Sequence, residues 1–387
     1  MLIKFVIAVI VVLSLGLGGC LEKSETRVDG ASTGGDGFAW GLTESIPFPQ
    51  VPEDNPMSEE KFQLGRHLFY DVRLSGNGTQ SCASCHQQSL AFSDGLALAI
   101  GSTGEVHPRN SQPLVNIAYN SSLTWANSSL RHLEQQILIP LFGENPVEQG
   151  LNDDNIEEVL QILRNDSEYS SLFLAAFPDA QTLFTVEQIV DALSIFVRGL
   201  ISFNSPYDRF LAGETDAISA SAIRGRDLFF SERLECFHCH GGYNFSDSTF
   251  DETMAFIEMP FHNTGLFNID GKGSYPSDNR GLMDVTNNAD DMGRFRAVTL
   301  RNIEVTAPYM HDGTMASLEE VLEFYSAGGR NVTSGPNSGD GRASPLKSGF
   351  VTGFDISDAE KQDVLSFLRS LTDNEFLQNP RFANPWE

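Results

Sequence analysis

Four of the five cysteines in this 387-residue chain fall into two Cys-x-x-Cys pairs, each followed at once by histidine: Cys82-Ala83-Ser84-Cys85-His86 and Cys236-Phe237-His238-Cys239-His240. Such a pair can be a redox dithiol, half of a zinc site or the attachment point of a c-type haem. Only the last requires a histidine directly behind the second cysteine, because both sulfurs bond to the porphyrin edge while that imidazole ligates the iron. With eight histidines in the chain, chance does not place one behind both pairs. A four-cysteine zinc site would keep its pairs close, whereas Cys85 and Cys236 lie 151 positions apart. Cys82, Cys85, Cys236 and Cys239 therefore read as the anchors of two haems, with His86 and His240 as proximal iron ligands.

The elements that must hold these motifs repeat as well. Leu64-Gly65-Arg66-His67-Leu68-Phe69-Tyr70 precedes the first motif and Arg224-Gly225-Arg226-Asp227-Leu228-Phe229-Phe230 the second, at an offset of 160. Each reads as the last turns of a helix that leads through a loop into the haem-binding segment. Thr185-Val186-Glu187-Gln188 is a capping box, followed by Ile189, Val190, Leu193, Val197 and Leu200 at helical spacing. Ser317-Leu318-Glu319-Glu320 and Ser357-Asp358-Ala359-Glu360 open two further helices in the same way. The apolar stripe of the first, Leu318, Val321, Leu322 and Tyr325, turns Tyr325 inward. Strand signals are few, and the Gly-, Asn- and Asp-rich stretches at 263–294 and 328–353 read as loops. The expected fold is mainly α: two c-type cytochrome domains, each with one covalently bound haem, joined by long loops.

Lys4 followed by an apolar run from Phe5 to Leu17 is an export signal, too short for a confident membrane span. Leu17-Gly18-Gly19-Cys20 resembles the lipobox of bacterial lipoproteins, making Cys20 the expected lipidated residue. The expected order is signal peptide 1–20, flexible tether 21–45, N-terminal cytochrome domain 46–205 and C-terminal cytochrome domain 206–387, with a boundary in the turn-rich stretch at 204–220. The implied location is periplasmic, with membrane contact only through the lipid. Twenty-five Lys and Arg against 52 Asp and Glu give a net charge of -27, which excludes nucleic acid as a partner and favours a basic one.

Leu74-to-Gly95 around the first motif and Thr299-to-Tyr325 near the end resemble the bacterial di-haem cytochrome c peroxidase and MauG superfamily over residues 47–375. The segments at 100–109, 116–127 and 259–268 are similar to the MbnH-like subfamily, which is implied to oxidise a tryptophan of the partner protein MbnP to kynurenine with hydrogen peroxide. The resemblance implies that the first haem keeps an open position for peroxide and that the second stores or passes an oxidising equivalent. It makes Glu148 the acid–base group above the open position, with Gln136 as its hydrogen-bonding neighbour and Gln135 still open as the alternative. Trp125 falls where the superfamily keeps a tryptophan between the haems.

Tyr325 occupies the position of the second haem's far ligand, where MauG has tyrosine and the scavenging peroxidases have methionine; His311, Met310 and Met315 are nearby rivals. A phenolate favours oxidised iron and a thioether the reverse. Asn116, Thr306 and Pro308 match the superfamily's calcium site. His107 lies in a loop that in some peroxidases supplies a resting ligand to the first haem.

Three functions compete. The first forms high-valent haem with peroxide and oxidises a partner protein side chain, an MbnP-like tryptophan. The second is a cytochrome c peroxidase that reduces peroxide to water with electrons from a small cytochrome. The third is a non-catalytic di-haem electron carrier. Tyr325 favours the first over the second, and Glu148 favours both over the third.

Overall fold

The computed structural model describes residues 37–387. The signal peptide and Cys20 lie outside the described residues. Helices in the first half are α1 (Glu59–Tyr70), α2 (Cys82–Cys85), α3 (Leu133–Phe142), α4 (Ile156–Arg164), α5 (Ser167–Ala176) and α6 (Val186–Arg198). The second half carries α7 (Pro206–Leu211), α8 (Ala220–Phe229), α9 (Phe237–His240), α10 (Met283–Thr286), α11 (Leu318–Ser326), α12 (Asp358–Arg369) and α13 (Asn374–Gln378). The one regular sheet among the described residues is the antiparallel pair β1 (Asn331–Val332) and β2 (Gly339–Asp340). The stretches at 263–294 and 328–353 are otherwise turns and short helical pieces.

The capping signals act as expected. Thr185 and Ser357 close reciprocal boxes with Gln188 and Glu360, and the Ser317 side chain accepts the Glu320 amide. Each satisfies a donor that the first helical turn leaves without an intrahelical partner.

Two hydrophobic cores form, one around α1 and α6 and one around α8 and α12. In both, a glycine lets two helix backbones touch. A Cβ on Gly65 would fall 1.9 Å from the Ala192 carbonyl oxygen, and one on Gly225 would fall 1.9 Å from that of Asp363. Phe69 meets Phe196 at 5.0 Å in the first core, and Phe229 meets Phe367 at 5.3 Å in the second. The Gly-Arg-x-Leu-Phe repeat is thus one helix-pair contact built twice: the glycine sets the spacing and the phenylalanine fills what lies beyond it.

A second repeat locks the same pairs. Asn116 (φ 54°) and Asn302 (φ 60°) are both left-handed and each opens a one-turn 3-10 helix. The Asn116 amide donates to the Leu200 carbonyl, beyond α6, and the Asn302 amide to that of Leu371, beyond α12. Their side-chain oxygens then accept the amides of Ser202 and Asp373, both at 2.7 Å. Ser202 and Asp373 are themselves bonded at 2.9 Å, so the two locks meet in a buried polar hub between the cores.

Both ends of the described chain pack into the first core. Within the stretch read as a tether, Phe38, Trp40 and Leu42 are buried there, alternating with the exposed Gly37, Ala39 and Gly41. From the other end, Phe376 and Phe382 cross back from the second half into the same core, and the Tyr70 hydroxyl donates to the Phe382 carbonyl at 2.7 Å. No described helix is long and apolar enough to cross a membrane.

Candidate functional site

Each Cys-x-x-Cys-His motif forms a single short helical turn, α2 or α9, which brings its two sulfurs and its imidazole to one side. His86 Nδ1 lies 2.7 Å from the Phe92 carbonyl and His240 Nδ1 3.0 Å from that of Phe245. A carbonyl only accepts, so each Nδ1 carries the proton and Nε2 keeps its lone pair for a metal. Phe92 (φ 62°) and Phe245 (φ 50°) are both left-handed, and that conformation turns the carbonyl back toward the ring. Burial lowers the pKa of both histidines and holds them as neutral imidazoles. Burial also pushes the Cys82 thiol up to about 12, Cys85 to about 11 and Cys236 to about 12. A redox dithiol needs the opposite shift. The two pairs sit in separate cores, and no group of three or more potential ligands among the described residues joins them. That removes the four-cysteine zinc site.

The second pocket is lined by Cys236, Cys239 and His240 on one part of its wall and by Tyr325, Met310 and His311 on another. Tyr325 sits on α11, which Ser317 caps and whose Leu318 and Leu322 are buried in the second core. Its hydroxyl makes no hydrogen bond among the described residues, whereas Tyr309 and Tyr275 in that core donate to the Ile303 carbonyl and Asn263 Oδ1. Burial raises the Tyr325 pKa, so the phenol ionises only against a strong positive charge. Of its rivals, Met310 and His311 reach the pocket and Met315 stays in the core.

Trp125 belongs to the first half by sequence and to the second pocket by position. Its indole Nε1 donates to the Asn110 carbonyl at 2.8 Å, and the neighbouring Ser111 hydroxyl donates to the Cys85 carbonyl at 2.8 Å. The indole is therefore linked through two residues, Asn110 and Ser111, to an anchor of the first haem while it lines the pocket of the second.

Beside the first motif, Glu148 is set by its backbone. The Ser102 amide donates to its carbonyl at 2.8 Å, and Gly101 packs so tightly on Val147 that a Cβ would fall 1.7 Å from the Val147 oxygen. Burial pushes Glu148 up to about 7, and its charge acts on the thiols of both Cys82 and Cys85. His107 Nδ1 approaches Glu148 Oε1 at 3.9 Å, which brings those two predicted residues together. Gln136 is half-buried on α3 and makes no hydrogen bond to Glu148; the link between their segments is the Gln149 amide donating to the Pro140 carbonyl at 2.9 Å. Gln135 is exposed.

The residues fit two haems. The donor sets are right for c-type attachment, and two residues that line the second pocket carry buried polar atoms without protein partners, Arg296 Nη1 and His311 Nε2. Of the residues matched to a calcium site, Thr306 lines the second pocket, and the Asn116 oxygen accepts the Ser202 amide while its Nδ2 donates to Ser202 and Asn244 in the polar hub. Sequence reasoning missed Arg296, Gln112 and the Asn302 lock. A signal for the last exists: Asn-Ile recurs at 116–117 and 302–303, each after a leucine two positions upstream.

Comparison with known proteins agrees with this geometry. Residues 59–216 match the family model described as di-haem cytochrome c peroxidase. The chain is 34% identical over 346 residues to cytochrome-c peroxidase IdrP1 of Pseudomonas sp., covering 86% of each. It is 32% identical over 330 residues to the methylamine utilization protein MauG of Methylorubrum extorquens, covering 85% of this chain and 82% of that one. Among solved structures, a MauG-like protein associated with microbial copper homeostasis superposes with a TM-score of 0.89 at 52% identity, over 90% of this chain and all of that one.

Proposed function

The chain belongs to the di-haem cytochrome c peroxidase and MauG family and is a haem-dependent oxidoreductase; within that family we propose that it uses hydrogen peroxide to oxidise a side chain of a partner protein. The observation that carries this reading is Tyr325: a half-buried phenol on the wall of the second pocket, with no hydrogen-bond partner among the described residues. Such a group suits a ligand that favours oxidised iron. The bound haems supply the redox chemistry, and His86 and His240 hold them in place.

Around them the chain positions and moves protons. Glu148 takes the proton from the near oxygen of an incoming peroxide and returns it to the departing oxygen, a task matched by a carboxyl that titrates at about 7. Gly101 and Ser102 fix its backbone so that the carboxyl keeps one orientation. Trp125, held between the two sites by Asn110, gives oxidising equivalents a low-cost residue on their way between them.

For the partner, the reading is an MbnP-like protein with tryptophan as the oxidised residue. The likeness to a protein associated with microbial copper homeostasis supports it. The enzyme would work in the periplasm. The reading keeps one calcium ion, held by Asn116, Thr306 and Pro308, since an amide oxygen that accepts one bond has a lone pair left for a cation.

A second reading has its own observation. Met310 also lines the second pocket and would suit a peroxidase fed by a small cytochrome. The experiment that separates them is incubation of the two-haem protein with peroxide and an MbnP-like partner, followed by mass spectrometry. Oxygen added to a partner tryptophan supports the first reading. Rapid oxidation of ferrocytochrome c with no change in the partner supports the second.

A further inference from the structure

Among the described residues three arginines are almost wholly buried, and two have their carboxylates. Arg301 is 3% exposed and reaches both oxygens of Asp208, at 2.8 and 3.0 Å. Arg198, also 3% exposed, meets Glu134 at 2.7 Å. Arg296, at 4% exposure, has no ion pair among the described residues. Its Nε donates to the Thr124 carbonyl at 3.2 Å and its Nη2 to Gln112 Oε1 at 3.0 Å, both neutral acceptors. Its Nη1 is buried without a partner, as is the Nε2 of Gln112 that steers it, and Arg296 lines the second pocket.

Asp247 acts on Arg296 only through space and makes no ion pair with it; a buried guanidinium without a contacting carboxylate is expensive, and an anion that reaches it relieves that cost. The missing group enters with the cofactor, since a c-type haem carries two propionate carboxylates. We propose that Arg296, oriented by Gln112, binds a propionate of the second haem through Nη1. The proposal rests on the two-haem reading and adds a consequence: because the Arg296 amide donates to the Trp125 carbonyl at 2.9 Å, this contact also fixes the second haem against the indole between the sites.

The test uses the full chain matured with haem and compares wild type, Arg296→Gln and Arg296→Lys. Pyridine haemochrome analysis is run first: fewer than two haems in wild type ends the two-haem reading, a failure distinct from that of this proposal. Spectroelectrochemistry then reads the second haem. Arg296→Gln removes a cation beside it, and at a given poise its ferrous-to-ferric ratio should fall about tenfold, or about 59 mV. Resonance Raman reads the carboxylate directly, and the propionate bending band of the second haem should shift in both variants, because lysine keeps the charge and loses the planar fork. If Arg296→Gln matures with fewer than two haems, Arg296→Lys decides by its Raman band. A second-haem potential unchanged in Arg296→Gln, or a propionate band unchanged in Arg296→Lys, overturns the proposal.

Discussion

Behind His86, Phe69, Phe92 and Phe196 pack as a trio with one tilted and two edge-to-face pairs; behind His240, Phe229, Phe245 and Phe367 do the same with nearly the same spacings. Gly65 and Gly225 seat the same helix pairs, and Asn116 and Asn302 lock the same turns. The halves part in the loops that return over each motif. The first brings a carboxyl, Glu148, on a backbone held by a glycine-rich turn, whereas the second brings a phenol, Tyr325, on a capped helix. One scaffold thus holds an imidazole twice, and the chemistry follows from whichever unrepeated segment closes the other side.

The largest break in this comparison should come from Glu148→Gln. With haem content unchanged, the reaction with peroxide should slow by about 10²- to 10⁴-fold in stopped-flow absorbance, while Tyr325 variants keep that step. The same residue sets a pH limb. Glu148 must be ionised to take the first proton, and its pKa is raised to about 7, so the wild-type rate should fall as pH drops through about 7. A flat profile from pH 5 to 8 would remove Glu148 from its role.

Gly65→Ala and Gly225→Ala test whether the halves are equivalent in packing. Each should destabilise by about 3 kcal/mol, because the new methyl meets a carbonyl of another helix and not a movable side chain. Thermal unfolding of the two-haem protein measures this, and one tolerated alanine beside one damaging alanine would break the equivalence.

Tyr325→Met should leave the first haem's spectrum alone and raise the second's potential, shifting its ferrous-to-ferric ratio by about tenfold at a given poise. An unchanged second-haem spectrum in Tyr325→Phe would point instead to Met310 or His311. The smallest effects belong to the polar locks. Asn116→Ala and Asn302→Ala should each cost about 1 kcal/mol, read as closely matched drops in Tm.

Much of this was legible in the chain because it is local. A Cys-x-x-Cys-His run carries its geometry within one helical turn, a capping box within four residues, and Tyr325 faces inward by the period of a short stripe. The Gly-Arg-x-Leu-Phe repeat showed that a contact recurs but not that it is a backbone-to-backbone contact, since the partners Ala192 and Asp363 have unlike side chains and meet it with carbonyl oxygens. Phe38, Trp40 and Leu42 sit in a Gly-rich stretch whose composition resembles a tether, and only the first core gives their alternation something to bury against. Gln136 stood beside Glu148 by resemblance, yet in space α3 offers the segment of Glu148 a backbone bond from Pro140.

The chain's own order of residues settled what is covalent and what is periodic: two haem anchors, their imidazoles, the helices that lead to them and an acidic surface. The fold alone decided which buried charges are left unmatched and which residues from one half serve the other. Arg296 reads as an ordinary arginine until Gln112, Thr124 and Trp125 close around it from 171 to 184 positions away. Burial and pairing across such distances depend on where the two cores meet, and no local pattern encodes that.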